Sequence, residues 1–365
     1  MKKQGIDKTF LFSIITLIVF GFAVFISASM GLLATNSAQF SSTAFKQVFF
    51  GIILGLLACF VFSRVPYKIF KKYALIIFVA SLVLTLAVFI PHVGARINGA
   101  RRWIVIFGFS FQPVAFLNMG FVVYFAAWLS SVKDKVTDMK YGLLPLLIIL
   151  GIIGILLIKQ PDNGSFLVIC VTGISMFLVA GGRFKDMLII GLIGVVCITI
   201  VAFTRPYVMS RIYTFMNPTE NSLTSGYQVQ QSLIALGSGQ FFGRGFGQSI
   251  QKYKFLPVST SDSIFAILGE ELGFVGCIVV IGFFLFFIFR GFRIAIKAPD
   301  TFSGLLVVGI VIIIVVQSFV NIGSTIGVIP FSGVPLAFFS QGGTSMLAML
   351  AQLGIVLNIS KSAKA

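Results

Sequence analysis

Ten mostly apolar runs, each close to the length that crosses a bilayer, divide the sequence at 10–29, 45–63, 73–91, 113–131, 141–158, 164–181, 187–204, 263–290, 303–327 and 334–359. A hydrocarbon core about 30 Å thick takes about 20 helical residues. Backbone in lipid must also satisfy its own hydrogen bonds, so such runs become helices. The sequence therefore predicts an all-α polytopic membrane protein of about ten transmembrane helices, organised as one membrane domain over 1–365. Composition agrees: 58% of residues are hydrophobic and 10% charged, against about 25% charged in a soluble domain. Soluble, disordered and fibrous classes are excluded. No long alternating pattern suggests an outer-membrane barrel.

The 27 Lys and Arg outnumber the 10 Asp and Glu, for a net charge of +17. They sit mostly between the apolar runs, which points to topology and anionic lipid rather than to nucleic acid. Alternate connections hold 17 and 10 of them. The richer set includes Lys2, Lys3, Lys8, Arg64, Lys68, Arg290, Arg293, Lys361 and Lys364 and is expected to be cytoplasmic, with both termini inside. The first run resembles a signal peptide, but it is long and lacks a convincing cleavage site, so it reads as the first span. Eight of the outer basic residues lie in two loops, about 92–112 and 205–262. The second, between spans seven and eight, is the one long extracytoplasmic loop, and loops of that length are usually functional.

Cys59, Cys170, Cys197 and Cys277 lie in or beside apolar runs without CxxC spacing, and read as small packing residues. His92 is the one His, so no His-rich metal site is expected. Among the acidic residues, Asp7, Asp134, Asp138, Asp186 and Asp300 neighbour Lys or Arg on the cytoplasmic side and read as solvated pairs of little worth. Glu220 belongs to the outer loop. Asp162 opens span six behind Pro161, where an N-cap carboxylate is favourable. Asp262 opens span eight with no basic neighbour within about seven residues, and such a carboxylate at a membrane mouth is a functional candidate. Glu270 and Glu271 lie about two turns deeper, where a carboxylate needs a partner. A basic outer face with a carboxylate fits a lipid diphosphate headgroup and general-base chemistry.

Several separated motifs then carry a resemblance over essentially all ten spans. They are Gly99-Ala100-Arg101-Arg102-Trp103-Ile104, Phe111-Gln112-Pro113, Gln160-Pro161-Asp162-Asn163-Gly164-Ser165 and Gly226-Tyr227-Gln228. Gln231 through Gly239, Gly243 through Ser249, Lys252, Phe255-Leu256-Pro257, Asp262 and Gly269-Glu270-Glu271-Leu272-Gly273 follow. Asn321-Ile322-Gly323, Gly333-Val334-Pro335-Leu336 and Ser340-Gln341-Gly342-Gly343-Thr344-Ser345 complete the set. In this order they resemble the SEDS family, the shape, elongation, division and sporulation proteins. Gly247 through Lys252, and Gly269 before the Glu pair, are more similar to its FtsW branch than to its RodA branch.

The resemblance implies a peptidoglycan glycosyltransferase that polymerises lipid II at the outer face of the bacterial cytoplasmic membrane, with septal wall synthesis as its setting. It implies undecaprenyl-linked glycan as product, a class B penicillin-binding protein as partner, other divisome proteins nearby and no nucleic acid. Asp262 occupies the position of the family's catalytic carboxylate and would be the general base. Arg101, Arg102, Arg205, Arg211 and Lys252 are candidate cations for the diphosphate, while Gln112, Asp162, Gln228 and Gln231 are candidate substrate contacts. Glu270, Glu271, Gly342 and Gly343 are assigned structural support. A divalent cation, Mg or Mn, would share the charge neutralisation, though no ligand cluster declares itself.

The sequence also departs from the family. Around the Asp the family reads Pro-Glu-x-His-Thr-Asp-Phe, and here Val258, Thr260 and Ser263 replace Glu, His and Phe. After Gln112-Pro113 the family's Ser-Glu and later Lys become Val114, Ala115 and Asn118. The Tyr of Ser-Tyr-Gly-Gly is Gln341. These changes leave a non-catalytic scaffold for the penicillin-binding protein as an alternative. A lipid II flippase is another, which would require ionisable residues along a path through the bilayer and two related halves.

Overall fold

The computed structural model describes residues 5–97, 100–106, 109–217, 226–253 and 255–362. Lys2, Lys3, Gly99, Glu220, Lys254 and Lys364 lie outside them. The chain begins with α1 (Lys8–Thr35) and α2 (Ser37–Phe45), a π-helix (Lys46–Ile53) and α3 (Leu54–Phe62). Then come α4 (Tyr67–Lys72) and α5 (Ala74–Leu86), with a 3-10 turn at Ala87–Phe89, followed by strands β1 (Gly94–Ile97), β2 (Ala100–Ile106) and β3 (Phe109–Phe111). After α6 (Val114–Ser131) the chain is helical again: α7 (Leu143–Lys159), α8 (Asn163–Val179), α9 (Phe184–Thr204), α10 (Pro206–Met216) and α11 (Tyr227–Ser238). The last three helices are α12 (Ile264–Ile296), α13 (Thr301–Thr325) and α14 (Gly343–Ser360).

Among the described residues, seven helical stretches are long and apolar enough to cross a membrane; Ala74–Phe89, Leu143–Lys159 and Asn163–Val179 are shorter apolar helices. The chain is thus a polytopic, mostly helical membrane protein. Buried α13 lies at the centre, packed against α6, α8, α12 and α14. Its first turn carries a capping box: Ser303 donates its backbone N–H to Asp300 Oδ1 at 2.9 Å. Asp7 caps α1 and accepts both contacts from Arg290 Nη2, at 2.9 and 2.8 Å. Asp7 and Asp300 therefore anchor helix starts, a larger role than the solvated pairs expected of them.

Three features refine the sequence reading, the third being a break in one of the three long last runs. First, the chain is not all helix, because residues 94–111 form an antiparallel sheet in the order β1-β2-β3. Ile104 faces Gly94 on one side and Phe111 on the other. Side chains alternate across a strand, and along β2 Ile104 is buried while Val105 is exposed. Second, the 205–262 loop contains α10 and α11. Third, 334–342 of the tenth apolar run is not helical: the chain from Phe331 to Gly342 is irregular, and α14 starts only at Gly343. Irregular backbone at such depth needs protein partners. The π-helix supplies some, since buried Gln47 accepts from Gly342 N at 2.9 Å and donates to Ser340 O at 3.3 Å. Gly343 permits the close approach: a Cβ there would lie 2.7 Å from the Lys46 carbonyl oxygen.

Candidate functional site

Asp262 sits one residue before Ser263, the N-cap of α12, and is half-buried. Its backbone is held from two sides. Asn321, buried in α13, donates to the carbonyl oxygen of Asp262 at 2.8 Å and to that of Val334 at 2.7 Å. Ser340 donates its hydroxyl to the Ser261 carbonyl oxygen at 2.6 Å. The Ser261 hydroxyl in turn donates to Asp262 Oδ1 at 2.8 Å.

Two guanidinium groups converge on the same place. Gly333, at φ +69°, leaves the space between them: a Cβ there would lie 3.6 Å from Asp262 Oδ2, 3.7 Å from Arg211 Nη2 and 3.9 Å from Arg102 Nη1. Arg211 reaches in from α10, donating to the Phe331 carbonyl oxygen at 2.7 Å and lying 4.5 Å from the centre of the Tyr207 ring. Arg102 reaches in from β2. It donates to the carbonyl oxygens of Gln160 and Pro161, and its Nη1 lies 3.9 Å from Asp162 Oδ1.

Burial pushes the Asp262 carboxyl above the usual aspartate range; the Ser261 hydrogen bond and the Arg102 and Arg211 charges pull the other way, and Asp162 adds to the rise. Burial lowers the Arg211 guanidinium from its ordinary value. A carboxylate with a raised affinity for protons, beside fixed cations, can accept a proton while neighbouring positive charge stabilises an anionic leaving group.

Asp162 is buried at the N-cap of α8, where Ser165 N donates to Oδ1 at 3.4 Å, and its Oδ2 has no protein hydrogen-bond partner. Gln228 on α11 donates to Ser263 Oγ at 2.9 Å. A cavity of about 290 Å3 beside α10 and α11 is lined by Arg211, Gln228, Thr214, Ser324 and Phe331. Gln231 is half-buried on α11. Gln112 enters through its backbone, N–H to Thr344 Oγ1 at 3.3 Å. Arg101 is exposed and neighbours Arg102 on the strand, so it projects to the opposite face. Arg205, the exposed N-cap of α10, is likewise not brought to this cluster.

Lys252 corrects the expectation of a free cation for the diphosphate. Its side chain is wholly buried: Nζ lies 2.9 Å from Glu271 Oε1 and donates to Gly247 O at 2.7 Å and Ser27 Oγ at 3.2 Å. Burial of a charge demands such a closed set of partners. Glu270 accepts from Ser249 Oγ at 2.5 Å and from the N–H groups of Ile250 and Gln251, with Arg244 Nε 3.6 Å away. Glu270 and Glu271, both on α12, thus bind the 247–252 turn to that helix, and Glu271 also accepts from Ser27 on α1.

The departures near Asp262 engage one another. Thr260 Oγ1 donates to Gln341 Oε1 at 2.8 Å, and Gln341 N donates to Thr260 O at 2.7 Å. Ser263 is the acceptor for Gln228. Asn118 and Ala115 line a second cavity, of about 30 Å3, beneath 335–342, with Gln317, Ser345 and Gln352. Sequence reasoning missed Asn321, Ser340, Ser261 and Gln47 as positioning residues. For Gln47, Asn321 and Ser340 the available signal was a polar residue inside an apolar run, which must find a hydrogen bond; Ser261, in the loop before α12, carried no such signal.

This architecture and site define a class: a polytopic helical membrane protein with a carboxylate held between two guanidinium groups at one mouth of its bundle. The chain belongs to the FtsW, RodA and SpoVE family of cell cycle proteins, whose model matches residues 8–365. It is 34% identical over 357 residues to a probable peptidoglycan glycosyltransferase FtsW of Geobacter sp. (strain M18), covering 98% of this chain and 97% of that protein. It is 38% identical over 316 residues to stage V sporulation protein E of Bacillus subtilis (strain 168), covering 87% and 86%. A solved chain from a peptidoglycan synthase complex that coordinates polymerization and crosslinking superposes with a TM-score of 0.78 at 25% identity, covering 98% of both chains.

Proposed function

We propose that this chain is a peptidoglycan glycosyltransferase that polymerises lipid II at the outer face of the bacterial cytoplasmic membrane, for septal wall synthesis. One observation carries the reading: Asp262, Arg102 and Arg211 meet around Gly333, in a chain whose curated full-length relatives include a probable peptidoglycan glycosyltransferase. In this reading all ten apolar segments cross the membrane, both termini are cytoplasmic, and the site opens outward. The shorter three have 16 or 17 residues, about 25 Å at 1.5 Å per residue, within a few ångströms of the hydrocarbon thickness.

Asp262 takes the proton of the acceptor sugar hydroxyl as that oxygen bonds to the donor's anomeric carbon. The bond from that carbon to the undecaprenyl diphosphate breaks, and the diphosphate leaves with the electron pair. Arg102 and Arg211 stabilise its developing charge. Asp162 holds Arg102 in place and offers Oδ2 as an acceptor for a sugar hydroxyl. Among the described residues no three His, Cys, Asp or Glu side chains gather as metal ligands. A class B penicillin-binding protein is the proposed partner, in keeping with the polymerizing and crosslinking complex to which the chain is similar.

The test is to reconstitute the purified protein with its cognate class B penicillin-binding protein and fluorescent lipid II. Glycan strands support the reading. No strands, with the complex intact and a control polymerase active, favour the scaffold; lipid II crossing the vesicle without polymerisation favours the flippase.

A further inference from the structure

The mechanism leaves one group of side chains unused. In the turn after α11, Phe241, Phe242 and Phe246 are 69%, 83% and 53% exposed, and Arg244 stands among them. The turn is not loosely attached. It fills a break in α12 at Gly273, where the backbone leaves helical geometry at φ 68° and ψ −166°. Phe274 and Val275 donate their N–H groups to the carbonyl oxygens of Gln240 and Phe241 at 2.8 and 3.1 Å. Arg244 and Gly245 donate theirs to Glu270 and Glu271 at 3.0 Å each. A Cβ on Gly273 would lie 2.3 Å from Gly243 N, so the close approach needs glycine.

Two contacts between α1 and α12 set the level of this turn along the bundle. Arg290 binds Asp7 at one end, and Glu271 accepts from Ser27 Oγ at 2.6 Å at the other. Ser27 and Asp7 are 20 residues apart, about 30 Å along α1 at 1.5 Å per residue, the thickness of the hydrocarbon core. The two polar contacts are therefore about one hydrocarbon thickness apart, and the turn lies at the level of the Glu271 contact. There Phe241 packs edge-on against Phe274, 6.0 Å between ring centres. Phe274 is itself 57% exposed on a spanning helix. The aromatic cluster continues the lipid-facing surface of α12.

We infer that residues 241–246 form an anchor inserted into the outer phospholipid leaflet, with Phe241, Phe242 and Phe246 among the acyl chains and the exposed part of Arg244, whose Nε lies 3.6 Å from Glu270 Oε1, at the phosphates. Aromatic and basic side chains are the ones that settle at this level. The anchor fixes the height of the 247–262 segment, and with it Asp262, relative to the headgroups. Its outward orientation rests on the topology proposed above; its insertion does not.

The experiment introduces Phe242→Trp into the full chain in phospholipid vesicles whose acyl chains are brominated, and subtracts the emission of the two native tryptophans with the parent protein. The expected result is loss of at least half of the added emission relative to unbrominated lipid, with no quenching by aqueous iodide. Quenching by iodide and not by bromine overturns the anchor. Bromine quenching abolished by adding the class B penicillin-binding protein overturns it too, and makes the cluster a partner-docking surface. The readout is independent of polymerase activity, so it stands or falls separately from the proposed function.

Discussion

Asn321 ties the backbone of Asp262 to that of Val334: one side-chain amide donates to both carbonyl oxygens, at 2.8 and 2.7 Å. The central helix thereby sets the distance between the carboxylate and the irregular 331–342 segment, which carries Gly333 between the two guanidinium groups. Asn321→Leu removes both donors and leaves two carbonyl oxygens unsatisfied, at about 1–3 kcal/mol each where buried. Polymerisation is expected to fall about tenfold or more through misplacement of Asp262. Lipid II turnover by the purified complex checks the rate, and binding of the penicillin-binding protein checks that the fold survives.

The raised proton affinity of Asp262 has a sign. A general base works as the carboxylate, so the rate falls as pH drops through a midpoint above the usual aspartate value of about 3.9. Arg211 is one of the charges holding that midpoint down, so Arg211→Gln is expected to move it further up as well as to lower the maximal rate. For stability, a raised folded-state value means that the contribution is fully present below the unfolded value and lost as pH rises through the folded one. A pH–rate profile of the wild type and the variant checks the direction.

Lys252 and Glu271 form a closed, buried pair at 2.9 Å. Breaking such a pair from one side costs about 3–5 kcal/mol because a lone charge remains. Lys252→Met and Glu271→Gln are each expected to lower the unfolding midpoint in detergent. The double variant is expected to recover much of the loss. Additive losses in the thermal scan would show that the two residues act separately.

The cavity around Asn118 makes a contrasting case. Asn118 Oδ1 and Gln352 Oε1 are buried without protein partners. An unsatisfied buried acceptor costs about 1–3 kcal/mol, so Asn118→Leu is expected to leave stability unchanged or raise it. Asn118→Lys puts a cation there with Ala115 where the family has Glu, and is expected to lower the unfolding midpoint. The same thermal scans decide both.

Much of this was legible in the residues. Among the described residues the apolar runs fall on seven long apolar helices and three shorter ones, apart from 334–342 of the tenth, because burial in lipid constrains both length and polarity. Asp162 and Asp262 stood out as carboxylates at run boundaries, and the structure sets both beside Arg102 or Arg211. The β2 strand was less legible, although Trp103, Ile104, Val105 and Ile106 are strong strand formers; four apolar residues in a row show no alternation, and within a chain so apolar they do not stand out. Lys252 could not be separated from Arg211 by sequence, because only the fold reveals which cation meets Glu271 and which reaches Gly333. The tertiary route from Gln47 through Ser340 to Ser261 joins residues some 80 to 290 positions apart, and no local pattern encodes it.

The most direct test of the central claim is lipid II polymerisation by the reconstituted complex carrying Asp262→Asn, which keeps the shape of the side chain and removes its basicity. The account predicts at least a hundredfold loss of glycan strands, within the range that positioned proton transfer contributes, with the complex still assembled. Strand synthesis at the wild-type rate would contradict it, and would take the role of general base away from Asp262.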